Sequence, residues 1–208
     1  MGQDVVMTVA GRTYGGLSPE QRSRDRRNRL LDAARALIAD GGVAQLTVDV
    51  VCQRANVGKR YFYTEFATKD DLLDACADDL FDRLWAKMEE VLTTAERADR
   101  IEGTLRAVVH TLASDPADAR LYMECPGFPR LRDRQQRAVR EFSERMAAHA
   151  MPFTGPPKAS VDRVLAARAL VAGATDLIIA WLHGDIDTDE DELIATLTAT
   201  ALGATTMI

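Results

Sequence analysis

The sequence predicts an all-α fold in which a three-helix N-terminal head joins a larger helical body. Three observations carry that prediction. Alanine, leucine, arginine and aspartate dominate the composition, and only seven prolines interrupt 208 residues. Apolar residues recur three and four positions apart through most of the chain, the spacing of helices with one buried face. Charge is also divided along the chain. From Arg12 to Lys69 eleven Lys and Arg face six Asp and Glu, whereas from Asp70 onward fifteen face twenty-five. The net charge of −6, taken whole, argues against a nucleic-acid partner. The uneven distribution argues the other way, because a basic head on an acidic remainder suits a head that meets phosphate.

Several classes are excluded by what the sequence lacks. No apolar run approaches the ~20 residues of a membrane helix, so no membrane partner is expected. The opening MGQDVVMTVAGRTYGG has no basic region followed by an apolar one, so it does not read as a secretory signal. Cys52, Cys76 and Cys125 are odd in number and far apart. Neither a disulfide scaffold nor a zinc site is expected from them, and a reducing cytoplasm fits best. No paired carboxylates, Ser/His/Asp set or glycine-rich phosphate loop marks an enzyme, and no cofactor or metal is called for.

Residues 1–17, with Gly11, Gly15 and Gly16, read as a flexible arm. Ser18-Pro19-Glu20 opens a helix whose inner face is Leu30, Ala33, Ala34, Leu37 and Ile38, and Gly41-Gly42 stops it. Five arginines between Arg22 and Arg29 lie near its start, where cations oppose the helix dipole. An external anion or a plainly solvated face are the two readings of that run. Thr47 then caps a short helix with Val48, Val51 and Cys52 inward, and Asn56 takes the left-handed turn position. The next helix, Gly58 to Glu65, buries Phe62 with Phe66 and leaves Lys59, Arg60, Tyr61, Tyr63 and Thr64 on its surface. Lys and Arg can pair with guanine edges in the major groove, while hydroxyls bind phosphate. Lys69, just beyond, would reach a phosphate from the start of the following helix.

These residues carry a resemblance. The stretch 46–73 resembles the helix-turn-helix of the tetracycline-repressor (TetR) family of bacterial transcriptional regulators. That pattern is matched by Thr47, Ala55-Asn56-Val57, Phe62-Tyr63, Phe66, Lys69 and Leu72 at the same spacings. Asn56 stands where the family has a turn glycine, and Gly58 where it has a small hydroxyl residue. The resemblance implies Tyr63 and Lys69 as phosphate contacts, and Lys59, Arg60 and Tyr61 as base readers. Thr47 and Thr64 complete the expected DNA-binding set, within a head spanning 18–73.

Residues 74–208 form the body. A long helix over 70–98 carries Leu72, Leu73, Cys76, Leu80, Leu84 and Met88 inward, and makes a lever between head and body. Helices over 99–114, 117–124, 129–150, 160–183 and 189–206 follow, with 151–158 as a loop. The last two resemble the family's C-terminal pair, which implies a homodimer. Pairing also follows from the head, because one short recognition helix contacts too few bases and a two-fold, palindromic operator doubles the site. By resemblance the body holds a small-molecule effector among its middle helices. Trp85, Met88, His110, Tyr122, Phe142 and Asp176 are the candidate lining residues, each of which is also an ordinary core or buried polar residue. The expected function is a sequence-specific DNA-binding regulator, a repressor released by its effector. A constitutive or architectural DNA-binding protein of the same fold and a helical-bundle enzyme are the alternatives.

Overall fold

The computed structural model describes residues 18–151 and 162–207, which form nine α-helices. In order these are α1 Pro19–Gly41, α2 Val48–Ala55, α3 Lys59–Glu65, α4 Lys69–Thr94 and α5 Arg100–Ala113. They continue as α6 Pro116–Glu124, α7 Pro129–His149, α8 Arg163–His183 and α9 Glu190–Met207. The fold is all-α. The expected arm, 1–17, and all but the first residue of the expected loop, 151–158, lie outside the described residues.

Local chemistry sets the boundaries. The Ser18 hydroxyl accepts from the Gln21 N–H while the Gln21 side chain accepts from the Ser18 N–H, a reciprocal cap that satisfies two free donors at the start of α1. At the other end Gly42 has φ 83°, and a side chain there would also collide with the Glu124 carboxylate. Only glycine meets both conditions. Thr47 caps α2 by accepting from the Val50 N–H, and Asn56 closes it in the left-handed region at φ 50°. Thr68 and Asp71 repeat the reciprocal cap at α4.

Two expectations need correction. The lever stops at Thr94, not Ala98, because Ala95 is extended (φ −80°, ψ 149°). Arg100 Nε donates to the Ala95 carbonyl, so a tight turn replaces the last helical turn. The second correction concerns α8. Among the described residues it is long and apolar enough to cross a membrane by composition, with a mean hydropathy of 1.6. Alanine, valine and leucine fill it between the isolated charges Arg168 and Asp176.

One apolar cluster runs from Leu30 and Phe62 in the head, through Leu72, Leu80 and Leu84, to Leu131, Ile178 and Ile194 in the body. A second, smaller one joins Leu92, Ile101, Met146 and Ala201. Helix α6 lies between α1 and the body helices, so the head rests on α6 as well as on α4.

Both the ring packing and the turn can be tested by substitution. Phe62→Ala empties a fully buried ring site and costs about 3–5 kcal/mol in denaturant unfolding. Asn56→Gly leaves stability within about 0.5 kcal/mol, whereas Asn56→Ala costs about 1 kcal/mol, because only the second places an ordinary side chain at positive φ.

Candidate functional site

The head presents α3 on a scaffold of α1 and α2. Phe62 is fully buried and meets Phe66 at 5.9 Å between ring centroids, with Tyr63 edge-on at 5.4 Å. Glu65, the last residue of α3, turns its carboxylate back into the head, where its side chain is only 7% exposed. The Ser23 hydroxyl donates to it at 2.8 Å and Arg26 pairs with it at 3.2 Å. Arg27 donates to the Glu65 carbonyl and lies 4.4 Å from the Phe66 ring centroid. Arg29 donates to the carbonyls of Ala55 and Asn56 at 2.5 and 2.6 Å, covering the negative end of α2. The arginine run is therefore not chiefly a surface awaiting an anion. Three of its five members fasten α1 to the recognition unit, a role that neither reading of the sequence foresaw.

What remains outward on α3 is narrower than the sequence indicated. Tyr61 and Tyr63 are more than half exposed, and Arg26 lies 5.0 Å from the Tyr61 ring centroid. Arg60 is exposed and makes no ion pair among the described residues. Lys59 pairs with Asp49 across the α2–α3 turn, so its charge is locally balanced. The Thr64 hydroxyl donates to the Arg60 carbonyl at 3.1 Å, and the Thr47 oxygen is committed to the α2 cap. Lys69 is half-buried in the first turn of α4. Thr47, Lys59, Arg60, Tyr61, Tyr63 and Thr64 all belong to α3 or to the cap of α2, and Lys69 begins the next helix.

A cavity of about 470 Å³ lies among α4, α5, α7, α8 and α9, with Tyr122 of α6 in its wall. Trp85, Met88, Tyr122 and Phe142 line it. His110 and Asp176 do not. The His110 side chain is 71% exposed, opposite Glu190 at 3.5 Å, and Asp176 is exposed on α8. Both sit one helical position off the apolar stripe that faces inward, an angular error that spacing alone does not resolve. Sequence reading missed Thr104, Gln135 and the small residues Ala169 and Gly173 in the wall. Burial pushes the Tyr122 phenol up to about 12, and its hydroxyl is hydrogen-bonded to Thr175. Cys125 is fully buried with its thiol also pushed up to about 12, the opposite of what a redox-sensing thiolate requires.

Helix α6 joins cavity and head. Asp118 is 1% exposed and receives Arg35 of α1 at 2.9 Å and Arg83 of α4 at 2.5 and 2.8 Å. Asp115 takes the other arm of Arg35 at 2.7 Å. At the far end of α6, Glu124 accepts the Val43 N–H at 2.7 Å, just after α1 ends. No cluster of His, Cys, Asp and Glu suited to a metal occurs among the described residues.

Residues 30–76 match the family described as bacterial regulatory proteins, tetR family. The HTH-type transcriptional repressor KstR2 of Mycobacterium tuberculosis is 26% identical over 100 residues. That match covers 48% of this chain and about half the length of the relative, 50%. A solved structure of the fatty acid degradation regulator FadR from Bacillus halodurans shares the fold with a TM-score of 0.72 at 20% identity, covering 86% of this chain and 95% of that one. FadR from Bacillus subtilis, solved in complex with stearoyl-CoA, matches with a TM-score of 0.66 at 19% identity over 85% and 98% of the two chains.

The α6 network has a direct consequence. Asp118→Ala leaves Arg35 and Arg83 only the more exposed Asp79 and Asp115 as counter-charges and lowers unfolding stability by roughly 1.5–3 kcal/mol, measured in denaturant. A loss below about 1 kcal/mol would mean that the network is worth no more than a surface pair.

Proposed function

From the match of residues 30–76 to the tetR family of bacterial regulatory proteins, we propose that this chain is a DNA-binding transcriptional repressor, released from its operator by a small molecule. The observation that carries the proposal is the outward face of α3, held on a rigid scaffold. Arg60, Tyr61 and Tyr63 project from a helix whose opposite side is locked by Phe62 and whose end is locked by Glu65. An exposed face of one cation and two phenols suits the edge of a major groove. Tyr63 and Lys69 take phosphates, while Arg60, Tyr61 and Lys59 read bases, with Lys59 exchanging Asp49 for the duplex. Thr64 serves through the remaining lone pairs of its hydroxyl, and Thr47 through the backbone it caps.

The body supplies pairing and release. Leu165 and Leu177 of α8 and Leu202 of α9 are large apolar residues exposed on the last two helices. A second copy is the occupant that fits, because a repressor head of one short helix needs a two-fold mate to read a palindrome. The cavity houses the effector. Occupancy moves Tyr122 and the α6 network, changes the spacing of the two heads and lowers operator affinity. That requires the effector to bind the released arrangement more tightly than the DNA-bound one. The site of action is the cytoplasm. The head spans 18–73 and the body 74–208, acting as units although their apolar cores are continuous.

The test is footprinting of the duplex upstream of the protein's own gene, with protection of an inverted repeat expected. Absence of any protected repeat there, and of binding to neighbouring promoters, contradicts the repressor reading. Arg60→Ala costs roughly 1–3 kcal/mol and relaxes preference at particular base pairs. Lys69→Ala weakens all sequences alike and reduces the salt slope of binding by about one, measured by anisotropy across a salt series. Leu177→Glu shifts sedimentation from dimer to monomer and reduces operator affinity with it.

A further inference from the structure

The cavity wall is apolar except for a few side chains, and nearly all of these already have partners. Thr175 donates to the Val171 carbonyl at 2.9 Å, Thr200 to the Thr196 carbonyl at 2.8 Å, and Gln135 to the Tyr122 carbonyl at 3.4 Å. Thr104 on α5 is different. It lines the cavity, is 1% exposed, and its hydroxyl has no hydrogen-bond partner among the described residues. Six other threonines in the helices of this chain bond back to a carbonyl four residues earlier, Thr64, Thr93, Thr94, Thr111, Thr175 and Thr200. Thr104 forgoes the bond that its own helix offers. A buried hydroxyl without a partner is costly to hold, and because this one belongs to a residue of the cavity wall, a molecule bound there can supply the partner.

Charge narrows the class further. The one cation in the wall, Arg134, is neutralised by Asp78 at 2.7 Å and Asp82 at 3.7 Å, and its guanidinium lies 4.8 Å from the Phe81 ring centroid. The other charged wall residues, Asp82 and Glu141, are acidic and exposed. A carboxylate or phosphate inside would meet no free cation and two like charges at the rim.

Resting on the effector reading above, we propose that the cavity takes an uncharged, predominantly apolar molecule with one hydrogen-bonding oxygen, a hydroxyl or carbonyl, seated on Thr104. Anionic ligands are discriminated against by the rim. Thr104 is the polar determinant of affinity, and it acts through a hydrogen bond made only when the cavity is filled.

The test uses the purified full-length protein with three probes that share one tail, dodecanol, dodecanoate and dodecylammonium, below their micellar concentrations. Calorimetric titration is expected to give tightest binding for dodecanol. Thr104→Val, which keeps the shape and removes the hydroxyl, weakens dodecanol roughly tenfold, and Thr104→Ser restores it. The same Val variant is expected to raise the melting temperature of the unliganded protein, because it removes an unpartnered buried hydroxyl; a structural role for Thr104 would lower it. Tighter binding of either charged probe, no binding by any probe, or unchanged dodecanol affinity in Thr104→Val each overturns the proposal. Operator binding is measured on the same preparations without probe. Its absence in the wild type would overturn the repressor reading, while the probe series alone decides the ligand class.

Discussion

The structure depends on one buried carboxylate. Asp118 lies at the meeting point of α1, α4 and α6, and among the described residues it is the only acid paired with both Arg35 and Arg83 that is removed from water. Two guanidiniums brought this close would repel one another, and Asp118, with the more exposed Asp79 bridging the same pair, offsets that repulsion where α1 and α4 approach α6. With Glu124 holding the Val43 N–H at the other end of the same helix, α6 grips the head at two points separated by most of its length. A helix held at both ends transmits displacement as a body and does not absorb it locally.

The head is held in the same way. Arg26, Arg27 and Arg29 are committed to carbonyls and to Glu65, so the seat of α3 is set by packing. Precision of this kind suits recognition, because base readers must be held to a fraction of an ångström by residues that do not touch the DNA. The fixed side of α3 and its free side therefore depend on each other. A similar contrast recurs in the body, where most wall polar groups are satisfied internally and Thr104 is not.

Much of this was legible from residues alone. Periodicity and boundary residues located every described helix, since Ser18, Thr47 and Asn56 each impose a local geometry that needs no distant partner. The Phe62/Phe66 pair and the outward tyrosines also follow from spacing within α3. Illegible were contacts between residues far apart in the chain. Glu65 gives no sign in sequence that Ser23 and Arg26 await it, and nothing near Asp118 points to Arg35 on the first helix. The cavity wall was half legible for a related reason. Large residues such as Trp85 and Phe142 stand out, whereas a lone Thr104 becomes informative only when its missing partner is seen. His110 was misplaced because a stripe of roughly 100° per residue cannot separate the edge of a buried face from its neighbour in water.

The most direct measurement is selection of bound sequences from a random duplex pool by the purified protein, at a salt concentration near that of the cell. The expected result is enrichment of two inverted half-sites with centres spaced by a helical turn or a multiple of it, about 10 base pairs or more. Recovery of a pool no different in sequence from the input would contradict it, because the proposed dimer, displaying α3 twice about a two-fold axis, must leave a two-fold signature.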